Sequence, residues 1–450
     1  MTLPRMWPMS MRLLLSSIFA AVAMAGASEP AAAQIGGLPG GFGGVLPQTP
    51  RLPGLPVDRG ALEGTVRDRL QRGLQAPARL RGLIRRSGGA LEADPLGWPV
   101  VRGEVVAVDL SPEGRRRALN ARFTVVREER LAALDMTTVV LAPPRGLSLR
   151  RAVERLRELD PQGSYAFNHI HAPAGELAEA EVALGPTTAR QGGRGRIGLI
   201  DTGLDVRHPA VAGAQIVQRG FAGPARAAPH GTAVASLMVG RSGDFSGATP
   251  GSELYAADIY GGSPAGGSST GLVQALAWMV EHDVPVVNVS LVGPRNAVVE
   301  AGVRRASGRG MLVVAAVGND GPSAPPLYPA AYPDVVGVTA VNGRGRVLPE
   351  AGRGPQVDFA APGADMAAAG PGQSYVNVRG SSFAAPLVAG VLARRHSRPD
   401  RTGAEAAVTA VGRTATDAGA PGPDPVYGRG IVATELPVEP RTVGARGQFR

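Results

Sequence analysis

Five short runs of almost unbroken apolar character recur from Arg196 onward: Ile197 to Ile200, Leu254 to Ile259, Val284 to Val289, Met311 to Ala316 and Val335 to Thr339. They lack the alternation of a strand with one wet face. A strand of this kind is buried on both faces, as in a parallel sheet covered by helices on each side. Helical stretches lie between the runs, near Thr232 to Val239, Gly271 to His282 and Ala297 to Ser307. The expected fold is therefore α/β, a three-layer sandwich around a mostly parallel central sheet. In such sheets ligands and chemistry gather at the carboxyl ends of the strands. Asp201, Asn288 to Ser290 and Asn319 each fall at or just after the end of an apolar run.

The chain upstream reads differently. Arg5 and Arg12 precede a short apolar run, Leu13 to Ala25, and small residues follow at Ala25-Gly26-Ala27 and Ala31-Ala32-Ala33. This is the pattern of a signal peptide over 1–33. The run is shorter than the roughly 20 apolar residues of a membrane span, with an uncleaved anchor as the alternative. Residues 34–99 form a Gly/Pro-rich and then Arg-rich linker region, helical in pattern from Ala61 to Gly88. A small α+β module is expected over 100–173. Phe123 to Val126 and Thr137 to Leu141 read as strands, Ser148 as a helix cap, and Leu149, Val153, Leu156 and Leu159 as one helical face. Residues 174–195 are small and polar, and read as an exposed linker and processing zone. Residues 196–435 make the main domain and 436–450 a tail.

Three local patterns carry chemistry. Asp201-Thr202-Gly203 puts an acid at a strand end. His230-Gly231-Thr232 opens a helix. Gly380-Ser381-Ser382-Phe383-Ala384-Ala385-Pro386 runs from a turn into an apolar helix, with Pro386 expected near the first turn. A serine hydroxyl needs an adjacent base to act as a nucleophile. Histidine is the side chain whose pKa suits that work, and a buried carboxylate fixes its tautomer. A helix start aims backbone N–H groups at a developing oxyanion. Asn319, in Val317-Gly318-Asn319-Asp320-Gly321, is placed to add a side-chain donor. On chemistry alone Ser381 and Ser382 compete as the nucleophile. Asp-Thr-Gly also occurs in aspartic proteases, but those need a second aspartyl motif or a homodimer, in an all-β setting.

The order Asp, His, Asn, Ser is that of the subtilisin family, and the stretch from Arg196 to about Thr434 resembles its catalytic domain. Ile197 to Asp205 with His208-Pro209 resembles the aspartate motif, and His230 to Ala235 the histidine motif, with Ala233 where a second His is common. Asn288 to Pro294 resembles the segment lining the primary specificity pocket, and Val314 to Gly321 the oxyanion segment. Gly380 to Pro386 resembles the nucleophile motif, with Ser381 for the usual Thr and Phe383 for the usual Met. The resemblance implies a subtilisin-like sandwich preceded by an α+β inhibitory prodomain. It implies a serine endopeptidase with Ser382 as nucleophile, His230 as base, Asp201 orienting it and Asn319 at the oxyanion. It implies an extended substrate bound near Gly266 and Gly267 on one edge and Ser290, Leu291 and Val292 on the other. Leu327 matches the often small base of the primary pocket, and a leucine there favours small substrate side chains.

Other classes fit less well. The net charge of +10 suggests a nucleic acid or another anionic polymer as partner, yet the arginines are mixed with acids, as in Arg127-Glu128-Glu129-Arg130. With zero cysteines there is no disulfide framework, thiol nucleophile or Cys-ligated metal. No cofactor is required for the expected chemistry. Relatives often carry structural calcium, but Asp205, Asp244, Asp258 and Asp365 are scattered and no compact Asp/Asn loop locates a site. The partners expected are protein or peptide substrates and the chain's own prodomain, with no nucleic acid and no stable membrane span. The compartment expected is periplasmic or extracellular.

Overall fold

A computed structural model describes residues 78–177 and 195–447; the signal-peptide region and residues 34–77 lie outside them. The first part is helix α1 (Ala78–Arg86), strands β1 (Leu91–Ala93) and β2 (Pro99–Val108), α2 (Pro112–Asn120), β3 (Thr124–Leu131), β4 (Met136–Ala142), α3 (Leu149–Leu159) and β5 (Ser164–His169). The strands pair antiparallel, with β5 on one edge of β2 and β4 then β3 on the other. Ser111 and Ser148 cap α2 and α3 by accepting from Gly114 N and Arg151 N.

Val105 and Ala107 of β2 pack with Ala118, Val153 and Leu156 of the module's own helices. Val106 and Val108 point the opposite way, into a second core shared with helices of the next domain. Side chains alternate faces along a strand, so the apolar run Val105 to Val108 reflects two cores rather than one.

Two short strands follow, β6 (Ala172–Pro173) and β7 (Glu176–Leu177). The larger domain then comprises β8 (Arg196–Asp201), β9 (Ile216–Gly220), α4 (Pro229–Val239), the hairpin β10 (Arg241–Ser242) and β11 (Phe245–Ser246), β12 (Glu253–Asp258), α5 (Ser269–Glu281), β13 (Val286–Val289), β14 (Leu291–Val292), α6 (Ala297–Gly308), β15 (Leu312–Ala316), β16 (Val335–Val341), β17 (Phe359–Pro362), β18 (Met366–Ala369), β19 (Tyr375–Arg379), α7 (Ser381–Ala393) and α8 (Arg401–Thr414). Seven strands form one sheet in the order β17-β16-β15-β13-β8-β12-β9, and every neighbouring pair is parallel. Leu199 joins the core of α4 and α7 on one face, and Ile200 the core of α5 and α6 on the other. This is the three-layer α/β arrangement expected from the unbroken apolar runs.

The chain lays β12 on one side of β8 and β13 on the other. Such a reversal opens a crevice at the carboxyl end of the central strand, and Asp201 is the last residue of β8. Among the described residues no helix is long and apolar enough to cross a membrane.

Candidate active site

Asp201 is fully buried at the end of β8, and His230 is in the first turn of α4. His230 Nδ1 lies 2.8 Å from Asp201 Oδ1. Oδ1 also accepts from Thr202 N at 2.6 Å and from Thr202 Oγ1 at 3.2 Å. Thr202 Oγ1 in turn accepts from Gly231 N at 2.9 Å. The carboxylate is thus locked to the helix that carries the imidazole. With Nδ1–H donated to Asp201, Nε2 is left as the basic nitrogen, and it is buried with no hydrogen-bond partner among the described residues. The ring packs against Phe383, 5.5 Å between centroids.

Ser381 and Ser382 open α7 and are both fully buried, but their hydroxyls do different things. Ser381 Oγ accepts from Gly318 N at 3.1 Å, and Ser381 N donates to Asn319 Oδ1 at 3.0 Å. Ser381 therefore ties the helix start to the loop after β15. Ser382 Oγ faces the cleft, donating to Ser290 O at 3.0 Å and accepting from Ala174 N at 3.1 Å. To meet His230 the hydroxyl must turn from Ser290 O.

Pro386 was expected near the first turn; it lies inside α7, one turn further on. A proline there leaves the carbonyl four residues back without its helical donor. That carbonyl belongs to Ser382, and Ser290 Oγ donates to it at 2.8 Å while accepting from Asn288 Nδ2 at 2.9 Å. The proline thus frees a carbonyl by which the cleft edge grips the serine helix. Ser290→Ala leaves this buried carbonyl unpaired and lowers the unfolding free energy by about 1–3 kcal/mol. Urea denaturation in a Ser382→Ala background checks this; an unchanged midpoint contradicts it.

Asn319 uses Oδ1 to hold Ser381 N, which leaves its Nδ2 directed toward the cleft. A Cβ built on Gly380 would lie 2.6 Å from Asn319 Nδ2 and 3.2 Å from Ala174 O. Gly380 has φ +130°, so only glycine suits both the backbone and the space. The Ala174 carbonyl and the Asn319 amide therefore approach each other around a missing side chain.

The residues beyond β5 run straight through this cleft. Ile170 bridges Ser268, and His171 N donates to Gly267 O at 2.7 Å. Ala172 and Pro173 pair antiparallel with Val292 and Leu291. Ala174 N donates to Ser290 O at 3.2 Å. Glu176 and Leu177 pair antiparallel with Arg379 and Val378 of β19. The expectation of an exposed linker from Ala174 onward is corrected for residues 174–177: Ala174 is 2% exposed, because two strand edges satisfy this segment's backbone from either side. Ser382 Oγ lies 3.1 Å from Ala174 N, and a Cβ built on Gly175 would lie 2.9 Å from Ser382 Cβ.

Among the expected substrate contacts, Gly267, Ser290, Leu291 and Val292 touch this segment directly. Gly266 does not; it packs against the Tyr260 backbone behind the edge. Leu327 is buried, and its Cδ1 lies 2.5 Å from where a Gly318 Cβ would be, with Val292 Cγ1 3.5 Å from the same point. Its side chain fills the space between those two walls. Three participants escaped the sequence reading: Thr202, His171 and Phe383. Thr202 and Phe383 were quoted only as members of their motifs, with no role of their own. Phe383 excludes a side chain at Gly175, where a Cβ would lie 2.6 Å from its ring and 2.9 Å from Ser382 Cβ. His171 is fully buried, with Nδ1 3.3 Å from Gly267 O and Nε2 without a partner among the described residues. Burial, with His169 nearby, pushes its imidazole down to about 4.

The other histidines are structural. His208 bridges Ser374 O and Ala210 N, and burial lowers its pKa. His396 is buried with Nε2 2.7 Å from Gly310 O. His282 Nδ1 lies 2.9 Å from Trp278 O. Asp258 is committed to the amides of Tyr260, Gly261 and Arg226. Among the described residues no three His, Cys, Asp or Glu side chains gather as metal ligands.

The family model described as the subtilase family matches residues 193–430. The chain belongs to the subtilase family, a family of serine peptidases. Subtilisin amylosacchariticus of Bacillus subtilis subsp. amylosacchariticus is 29% identical over 259 residues, 54% of this chain and 67% of that protein. Subtilisin Savinase of Lederbergia lenta is 33% identical over 204 residues, 44% of this chain and 74% of that protein. The crystal structure of fervidolysin from Fervidobacterium pennivorans, a keratinolytic enzyme related to subtilisin, is similar with a TM-score of 0.61 at 18% identity, covering 75% of this chain and 61% of that one. That likeness extends to the fold. The matched residues take in the seven-stranded parallel sheet and its helices.

Proposed function

We propose that this subtilase is an exported serine endopeptidase made as a zymogen that cuts its own Ala174–Gly175 bond. The observation that carries the reading is the path of residues 170–177 between the two edges, with Ala174 N held by Ser290 O and the following bond at Ser382. Ser382 attacks the carbonyl as His230 Nε2 takes its proton. Asp201 stabilises the resulting imidazolium through Nδ1. Asn319 Nδ2 and the Ser382 N–H face the oxyanion. His230 returns the proton to the leaving amine, and water then releases the acyl group from Ser382. Every role is filled by a side chain or an amide of the chain, so no cofactor enters the reaction.

The expected module of 100–173 acts as an inhibitory prodomain until the cut is made, together with residues 78–99, which were expected as linker but fold onto it as α1, β1 and the start of β2. Their docking is supported by the shared core of Val106, Val108, Leu134 and Met136 with α5 and α6, and by polar contacts across it. Asn296 Nδ2 donates to Phe167 O at 2.8 Å, Thr270 N to Asn168 Oδ1 at 3.2 Å, and Arg305 pairs with Asp109. Withholding activity in this way suits a peptidase carried out of the cell behind a signal peptide. A fluorophosphonate probe tests the reading: the processed protein labels at Ser382, and an unlabelled processed protein points instead to a binding or scaffolding role.

The preferred substrate follows from the same segment. Leu327 shortens the primary pocket, and the residue seated there is alanine. Phe383 presses on the next residue, and that residue is glycine. Leu327→Gly reopens the pocket and raises kcat/KM for Phe or Leu before the cut, relative to Ala, by about tenfold or more. A peptide library cut by both enzymes checks this; wild type preferring large aromatics at that position contradicts it.

A further inference from the structure

We propose that the C-terminal tail closes the leaving-group side of the cleft after three residues, so that the enzyme grips only three residues beyond the cut. This rests on the peptidase reading above, and concerns how long a substrate its cleft engages.

The tail clasps the hairpin of β18 and β19. Ala367 N of β18 donates to Val438 O at 2.8 Å. The chain then turns through a short 3-10 helix, Pro440–Val443. It comes back beside β19, where Asn377 N donates to Arg446 O at 3.1 Å and Arg446 N to Tyr375 O at 3.0 Å. Leu436, Val438, Val443 and Ala445 pack on the main core, which anchors the crossing.

The edge of β19 facing β18 is taken from Tyr375, opposite Ala369, to Val378, opposite Met366. Arg446 therefore lies on the other edge, the one that pairs with Glu176 and Leu177. Groups available to one partner alternate along a strand. On this edge Arg379 serves Glu176, and the next rung is Asn377. An extended chain continuing past Leu177 needs the Asn377 amide for its fourth residue beyond the cut, and Arg446 O already holds it. Arg446 runs parallel to β19, at Val376, whereas the cleft segment runs antiparallel. The two meet head-on along one edge, and a longer substrate must turn away where they meet.

The test is a peptide series with His-Ala-Pro-Ala before the cut and Gly-Glu-Leu after it, extended beyond Leu by none to three residues. It is run on wild type, on a chain ending at Val443, and on Arg446→Pro, which removes the arginine side chain and the N–H given to Tyr375 and so loosens the crossing whose carbonyl holds the Asn377 amide. Wild-type kcat/KM stays within about twofold across the series. The shortened chain and Arg446→Pro cut the three-residue peptide as wild type does, but gain about threefold to tenfold with the second or third added residue, the worth of one or two backbone hydrogen bonds. Equal gains in wild type, or flat profiles in both variants, overturn the proposal. A wild type that cuts no peptide in the series overturns the peptidase reading and this one with it.

Discussion

Ser382→Ala lowers kcat/KM for peptide hydrolysis by about 10⁴-fold or more, the order of loss when a serine triad is stripped of its nucleophile. The neighbouring serine cannot substitute. Ser381 Oγ is occupied by Gly318 N on the far side of the helix start, and Ser381 N by Asn319. Only Ser382 Oγ lies against the chain in the cleft. The variant is expected to fold, because Ala174 N keeps its bond to Ser290 O and the Ser382 carbonyl keeps its bond to Ser290 Oγ, neither of which needs the lost hydroxyl. It accumulates as the unprocessed chain. Steady-state kinetics with a small-residue peptide measures the loss. A variant retaining activity within tenfold of wild type contradicts the assignment.

Asp201→Asn produces the second large loss, about 10⁴-fold in kcat, with the fold and the prodomain contacts retained. Asp201 Oδ1 accepts from Thr202 N, Thr202 Oγ1 and His230 Nδ1 together. An asparagine keeps one oxygen for Thr202 but can offer the imidazole an N–H. That turns Nδ1 into an acceptor and moves the ring proton to Nε2, the nitrogen that must receive the serine proton. An asparagine also carries no charge to balance the imidazolium. The expected signature is a collapse of kcat with substrate binding little changed, because no substrate-facing group moves. A loss of less than tenfold contradicts the role given to Asp201.

The sheet was legible because its strands are buried on both faces, which erases alternation and leaves runs such as Val284 to Val289. The acid, the base and Asn319 were legible because each follows such a run or opens a helix. The choice between Ser381 and Ser382 was not open to chemistry read along the chain; it depends on which hydroxyl the Gly318 amide reaches, a contact between residues far apart in sequence. Pro386 misled for a related reason. A proline mid-helix is costly unless its orphaned carbonyl finds another donor, and that donor, Ser290, comes from a distant strand. The segment 174–177 looked like a linker because it is small and polar. Smallness is also what the space beside Phe383 and Ser382 demands at Gly175, so the composition of a loop and that of a chain packed in the cleft coincide here. Gly266 illustrates the limit of motif reading: it sits in the right loop but supports Tyr260 instead of the chain in the cleft.

The most direct test is the amino-terminal sequence of the protein purified from a culture of wild type, beside that of Ser382→Ala. The account predicts that wild type begins at Gly175 and that the variant retains the residues before it. A fully active wild type that still carries Ala174 joined to Gly175, or a variant cut at that bond as fast as wild type, would contradict it.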